Sequence, residues 1–325
     1  MLIPTLVKIF SLSAVASASS TSPDRLKSSC TNPPVRKEWQ TLSAEDQAGY
    51  IDAVHCLATK PSLVASLNTT LFDDFPRIHY AMDRQIHFVA SFLPWHRWFV
   101  HVYESALKDC GYKGVATYWD WTKHSSDPTN DPMWSPVTGF GGNGSPDHQQ
   151  KIGRWNYSCV VDGPFKDLRP SYLQSDYAPH CLTRDFNNGT DYYPGNMFGP
   201  SRSPEKIAEI NAYTKYTDFH PNLENIPHGS VHSSVGGDMS PATSPNDPLF
   251  FLHHTQIDRL WWLWQQEKPE ERNFMFGGIR TEDQNDGVVP PQATLDDVMT
   301  MRELAEDVKV RDVMTTDTDL LCYRY

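Results

Sequence analysis

Residues 246–264 read NDPLFFLHHTQIDRLWWLW and place two adjacent histidines, His253 and His254, inside one of the most apolar runs of the chain. The pattern predicts a helix over 247–267. Successive side chains on a helix point about 100° apart, so the two imidazoles must meet different surroundings. One of them is free to be a packed core residue while the other holds a metal.

Outward from this run, helices are expected over 43–60, 71–83, 95–109, 204–219 and 222–233. Ser43 can cap the first, acidic residues fill its first turn, and Pro61 stops it. Pro76 counts against the second. Pro94 at the start and Gly111 just past the end frame the third. Residues 122–203 are rich in Pro, Gly, Asn and Asp and show little periodicity. A loop that long inside a compact domain is unusual and often functional. The expected fold class is mainly α: an antiparallel helical bundle with long irregular loops and little β.

The 13 histidines are unevenly placed. His79, His87 and His96 form one cluster in DDFPRIHYAMDRQIHFVASFLPWHRWF. His228 and His232 begin a second, which the 253–254 pair completes. The i, i+4 spacing of His228 and His232 puts both rings on one helical face, as two imidazoles biting one metal require. A single pair of this kind is more often a surface feature, and the first cluster alone lacks a helical spacing. Two clusters able to give three imidazoles each are much harder to dismiss. Imidazole serves copper, zinc, iron and nickel, and the lack of thiolates or paired carboxylates beside these rings favours copper or zinc.

Composition bounds the rest. A formal charge of −12 opposes binding to nucleic acid or an anionic membrane. The ten Trp, 14 Tyr and 15 Phe promise a large core. The start, MLIPTLVKIFSLSAVASASS, reads as a secretory signal peptide cleaved near Ala18. No other segment approaches the roughly 18 apolar residues of a membrane span. Six cysteines without a C-x-x-C pair suit disulfides rather than zinc. Sequons at Asn68, Asn156 and Asn188 agree with a secreted glycoprotein, and one at Asn143 is weakened by Pro146.

Four segments now carry a resemblance: FLPWHRWF (92–99), YWDW (118–121), PHGSVH (227–232) and the 246–264 run. They resemble the two metal-binding regions of type 3 copper proteins, the tyrosinases, catechol oxidases and hemocyanins. The likeness runs from about residue 30 to the C-terminus and is nearest to short fungal secreted members. The final CYRY (322–325) is similar to the Tyr-x-Tyr motif that ends the family's catalytic domain. The expectation is a single catalytic domain over 19–325 without a C-terminal shielding domain.

The resemblance implies that His79, His87 and His96 hold one copper ion and His228, His232 and His254 the other. In the family the second histidine of the HH pair is the ligand, which leaves His253 to the core. On a helical wheel His254 shares a face with Asp258, whose carboxylate would orient a nearby ring. His253 shares its face with Ile257 and Trp261. The expected disulfides are Cys30–Cys322, Cys56–Cys110 and Cys159–Cys181.

The implied activity is oxidation of ortho-diphenols to ortho-quinones by dioxygen at two copper ions, with zinc as the alternative metal. The partners are then a small phenolic substrate and dioxygen. Glu224 matches an acidic residue that, in relatives, helps hold a water near the second copper and so assists monophenols. Its usual partner is an Asn directly after the first ligand of the second copper. Gly229 stands there instead, which predicts weak monophenol hydroxylation. Gln85 replaces the cysteine that in many members bonds to the second histidine of the first copper, so no thioether is expected. Ala242 falls near the residue that limits access over the first copper. The alternatives are a tailoring enzyme of secondary metabolism, oxidising a phenol or a peptidyl Tyr, and a non-redox dizinc enzyme like cyclopenase. An oxygen carrier is a third.

Overall fold

The computed structural model describes residues 30–188, 195–283 and 289–325. The expected signal peptide lies outside them. The chain is mainly helical. Helix α1 is Ala44–Leu57, α2 Leu71–Ile86 and α3 Phe92–Asp109. After a long irregular tract come α4 (Pro204–Asn211), α5 (Tyr216–Leu223), α6 (Gly229–Val235), α7 (Leu249–Glu267) and the short α8 (Pro269–Arg272).

Each helix near the site begins for a local reason. Ser43 accepts from the Asp46 N–H at the start of α1. Thr70 and Asp73 form a reciprocal capping box on α2. Helix α2 runs through Pro76 and three residues past the expected end at 83. Helix α3 starts at Phe92, three residues before the expected Trp95. Pro94 is no obstacle there, because the first-turn N–H groups have no intrahelical acceptor. At the head of α7, Asp247 accepts from the Leu249 N–H at 3.0 Å while holding Arg184 through both carboxylate oxygens.

Two expectations about the later helices need correction. The helix expected over 204–219 is broken after Asn211, and the chain re-enters a helix at Tyr216. No Gly or Pro marks the break. Trp264 of α7 takes its indole acceptor from the Tyr213 carbonyl at 2.7 Å, a tertiary bond that favours an open backbone there. The helix expected over 222–233 is interrupted by a π turn, Glu224–His228. Pro227 has no N–H and its ring opposes regular α geometry at this point, and the wider turn accommodates it.

The tract 122–203 is also less irregular than its sequence suggests. It carries an antiparallel hairpin of β1 (Gly144–Ile152) and β2 (Trp155–Val160), turning at Gly153 and Arg154. Gly153 has φ +59°, which a two-residue hairpin loop requires. Two further short strand pairings, Tyr172–Leu173 with Asp176–Tyr177 and Val298–Met299 with Val308–Lys309, stay local, so the sheet content remains minor.

The three expected disulfides are all present, and no free cysteine remains. Cys56–Cys110 joins α1 to the end of α3, and Cys159–Cys181 ties β2 back onto the tract. Cys30–Cys322 joins the two ends of the described chain.

Helices α2, α3 and α7 pack together around a core in which Phe75, Phe99, Phe250 and Phe251 are 1% exposed or less. A buried charge network locks α3 to α7. Arg97 Nε donates to Asp258 Oδ1 at 2.5 Å, and Arg36 Nη1 donates to Oδ2 at 3.2 Å. Tyr323 and Tyr325 donate their hydroxyls to the same carboxylate at 2.6 and 2.5 Å. The chain end is thus bolted to α7 from behind. Asp258 was expected to orient an imidazole. It binds two guanidiniums and two phenols instead, because those donors reach its side of α7.

Candidate metal centre

His79 lies midway along α2, His87 directly follows that helix, and His96 sits in the second turn of α3. One nitrogen from each lies within 4.8 Å of the others. His228 closes the π turn, His232 lies on α6, and His253 and His254 lie on α7. They form a second group of four under the same limit. The groups face each other: the His96 and His254 rings stack with centroids 4.3 Å apart.

Tautomers decide what these rings can do. A carbonyl or carboxylate oxygen only accepts, so a ring nitrogen bonded to one must carry the proton. His79 Nδ1 donates to the Ala242 carbonyl at 2.6 Å, and His96 Nδ1 to Phe92 at 2.8 Å. His228 Nδ1 donates to Glu224 at 3.0 Å, and His232 Nδ1 to Met239 at 2.6 Å. His87 Nδ1 is held by Asp83 Oδ1 at 2.8 Å. With the proton fixed on Nδ1, the neutral form of each of these rings leaves its Nε2 lone pair bare.

Those lone pairs confront one another. His79 and His96 bring their Nε2 atoms to 3.2 Å with no proton between them. His228 Nε2 is buried without a partner. Protonation is a poor remedy. Burial first, then neighbouring imidazoles, hold His79, His96 and His228 well below the ordinary histidine range. Burial likewise takes His232 down to about 4. Converging neutral imidazoles with bare nitrogens fit a cation, and the all-nitrogen donor set suits copper or zinc.

The adjacent pair divides on one contact. Trp121 Nε1 donates to His253 Nδ1 at 3.2 Å. Indole is a donor only, so His253 must keep its own proton on Nε2 and has no lone pair to offer there. His254 has no such constraint: its Nδ1 is unpartnered, and its Nε2 lies 3.4 Å from the bare Nε2 of His232.

The π turn performs a specific task. The Glu224 carbonyl receives both the Gly229 N–H, five residues on, and the His228 ring. Widening the helix by one residue brings both donors to one oxygen. The Glu224 side chain is 2% exposed; Oε1 accepts the Phe88 N–H at 2.7 Å and Oε2 has no partner. Burial pushes this carboxyl up to about 8, against the Phe88 bond, which favours the ionised form. Gly229 opens α6, and a Cβ there would meet only the Glu224 carbonyl oxygen, at 3.6 Å.

A cleft of about 270 Å³ opens onto these groups. His79, His87, His228 and His232 line it with Asp83, Phe88, Glu224, Gly229 and Ala242. Asp83, Trp121 and Phe88 were not singled out from sequence. Asp83 stands four residues before His87, a spacing that marks a helical partner. Trp121 and Phe88 carry no such signal. Gln85 lies away from the cleft, and with every cysteine in a disulfide no thioether can form.

Known proteins resemble this chain in sequence and in fold. The family described as the common central domain of tyrosinase matches residues 69–267. The chain is 42% identical over 309 residues to the tyrosinase-like protein phomQ1' of Diaporthe leptostromiformis, covering 91% of this chain and 80% of that one. It is 33% identical to N-acetyl-6-hydroxytryptophan oxidase ivoB of Emericella nidulans, covering 97% and 98%. Among solved structures, a glycine-to-asparagine mutant of polyphenol oxidase from Thermothelomyces thermophila superposes with a TM-score of 0.74 at 30% identity, covering 90% of this chain and 88% of that one. The chain belongs to the tyrosinase family. It is an oxidase of that family, whose members act on phenolic substrates with dioxygen.

Proposed function

We propose that this protein oxidises ortho-diphenols to ortho-quinones at a dinuclear copper centre and hydroxylates monophenols weakly. His79, His87 and His96 hold one ion; His228, His232 and His254 hold the other. The observation that carries this reading is the convergence of bare Nε2 atoms whose protons are pinned elsewhere. Bound copper supplies redox chemistry with dioxygen, which a dizinc centre would not.

The chain's own residues do the rest. Backbone carbonyls of Ala242, Phe92, Glu224 and Met239 and the Asp83 carboxylate fix five ring orientations before any ion arrives. Such preorganisation raises ligand basicity and affinity. Phe92, Phe99 and Phe250 pack against the rings of His79 and His96 and do not line the cleft. Burial alone would keep Glu224 protonated; bound cations nearby would favour its ionised form, which is then placed to take a phenolic proton through the unpartnered Oε2, directly or by one water. Gly229 offers no side chain to hold that water, which bears hardest on monophenols, since catechols are more acidic and already carry both oxygens.

Metal analysis of the purified protein, followed by matched assays of dopamine and tyramine, tests the reading. Two copper ions per chain and faster diphenol turnover are expected. Zinc with no turnover, or equal rates on both substrates, would overturn it.

A tailoring role in secondary metabolism is the second reading. The likeness to ivoB, named for oxidation of a hydroxylated indole, favours a substrate larger than a simple catechol. Neither Gly229 nor Ala242 adds bulk to the cleft. Three disulfides favour an oxidising compartment, and we place the mature enzyme, residues 19–325 as one catalytic domain, in the secretory route.

A further inference from the structure

The link between α2 and α3 carries a residue that packing does not explain. Phe88 directly follows His87, and its ring is 56% exposed. Around it Ile86, Val89 and Ala90 are each 1% exposed or less. The ring makes no aromatic contact with the core, and it lines the cleft beside His87, Glu224 and Gly229. Among the described residues lining that cleft, it supplies the only phenyl group.

Its backbone adds a second observation. Phe88 has φ +56°, in the left-handed region that side chains bearing a Cβ avoid. A bulky residue persists there only when its surroundings over-determine it, and such positions concentrate at ligand sites. Here the Phe88 N–H is held by Glu224 Oε1 at 2.7 Å, and the Ala90 N–H by the Ile279 carbonyl at 3.0 Å. With both sides of the link anchored, the ring is turned out of the core and into the cleft. Glycine or asparagine would satisfy the same backbone with less strain, so the phenyl group itself needs a reason.

We propose that Phe88 is a specificity-determining residue: it is the aromatic surface against which the substrate ring packs. The inference rests on the phenol-oxidising reading and deepens it. Because Gly229 and Ala242 offer little surface, Phe88 is the largest apolar side chain lining the cleft that an entering ring can meet. Aromatic substrates are then held by face or edge contact, and larger ring systems gain more from it than single rings. Glu224, by gripping the Phe88 N–H, couples the position of this surface to the acid–base group of the same cleft.

The test compares wild type with Phe88→Ala and Phe88→Trp, all metal-loaded. Catechol kinetics give KM and kcat separately. Calorimetric binding of benzoate reports ring recognition without turnover, and azide reports access to the metals by a ligand with no ring. Phe88→Ala should raise the catechol KM and weaken benzoate by roughly three- to tenfold, with kcat within about twofold. Azide affinity and metal content should not change, and Phe88→Trp should restore both ring-dependent values. Unchanged KM and benzoate affinity in Phe88→Ala would overturn the proposal. So would an equal loss of azide affinity, which would mark a general disturbance of the site. If wild type turns over no catechol, the functional reading fails, and the benzoate and azide comparison still decides the role of Phe88.

Discussion

Trp121 Nε1–H donates to His253 Nδ1 at 3.2 Å, and this hydrogen bond separates the two adjacent histidines of α7. Proximity alone does not, since both belong to the same group of four. The expected outcome is that His254→Ala loses one of two metal equivalents and all oxidase activity. His253→Ala should keep both ions and lose about 2–3 kcal/mol of stability, as for a buried ring replaced by a cavity. Metal stoichiometry together with thermal unfolding checks this. Metal lost from the His253 variant and kept by the His254 variant would reverse the assignment.

Asp83 holds the His87 ring from a partly exposed position on α2, with 45% of its side chain accessible. A carboxylate behind a ligating imidazole typically contributes about 10–100-fold to metal affinity. Asp83→Asn should therefore weaken one metal by about that factor and leave the other unchanged. Competition with a chelator of known affinity would show it; equal weakening of both ions would contradict it.

Gly229→Asn should raise the monophenol rate relative to the diphenol rate. The backbone accepts the change, because an added Cβ meets nothing closer than 3.6 Å. One hydrogen bond to a water beside Glu224 contributes about 1 kcal/mol, or severalfold in rate. Tyramine and dopamine assays at equal copper loading give the ratio. An unchanged ratio would remove Gly229 from the account of specificity.

The Asp258 network predicts a large stability effect away from the metals. Asp258→Ala leaves Arg36 and Arg97 buried without their shared carboxylate, and breaking a buried pair from one side costs about 3–5 kcal/mol. Denaturant unfolding should show that loss. A change below about 1 kcal/mol would mean that water replaces the carboxylate.

Acid should unfold the protein in part through Glu104. Burial alone would raise this carboxyl, but Arg36, Lys108 and the Ala116 N–H overcome it and hold it at about 2. A carboxylate depressed on folding stabilises the native state fully above its ordinary value near 4.5. That contribution is lost as pH falls from there towards 2. It amounts to a few kcal/mol, on the order of 3. Chelated wild type should lose more unfolding free energy between pH 6 and pH 3 than chelated Glu104→Gln. Parallel declines would exclude Glu104 as a source of acid sensitivity.

Much of this protein was decided along the chain itself. Ser43 and the Thr70–Asp73 box are local signals, and they set where α1 and α2 begin; Pro94 marks the first turn of α3 but not its first residue. The two histidine clusters and the six cysteines stood out because residue type and spacing carry their chemistry directly. Other features came only from contacts between distant segments. The break after Asn211 follows from the Trp264 indole reaching the Tyr213 carbonyl. The hairpin at Gly153 emerges where Cys159 and Cys181 hold a tract without clear periodicity. Asp258 was aligned with His254 by helical spacing, yet Arg97, Arg36 and two C-terminal tyrosines claim it. The same holds for the tautomers. A sequence counts imidazoles, but which nitrogen keeps the proton depends on an oxygen or an indole that lies anywhere from a few to more than a hundred residues away. Asp83 acts on His87 from one helical turn, whereas Trp121 acts on His253 across 132 positions. Hydrogen-bond donors act over about 3 Å, so only the folded chain brings that second kind of partner within reach.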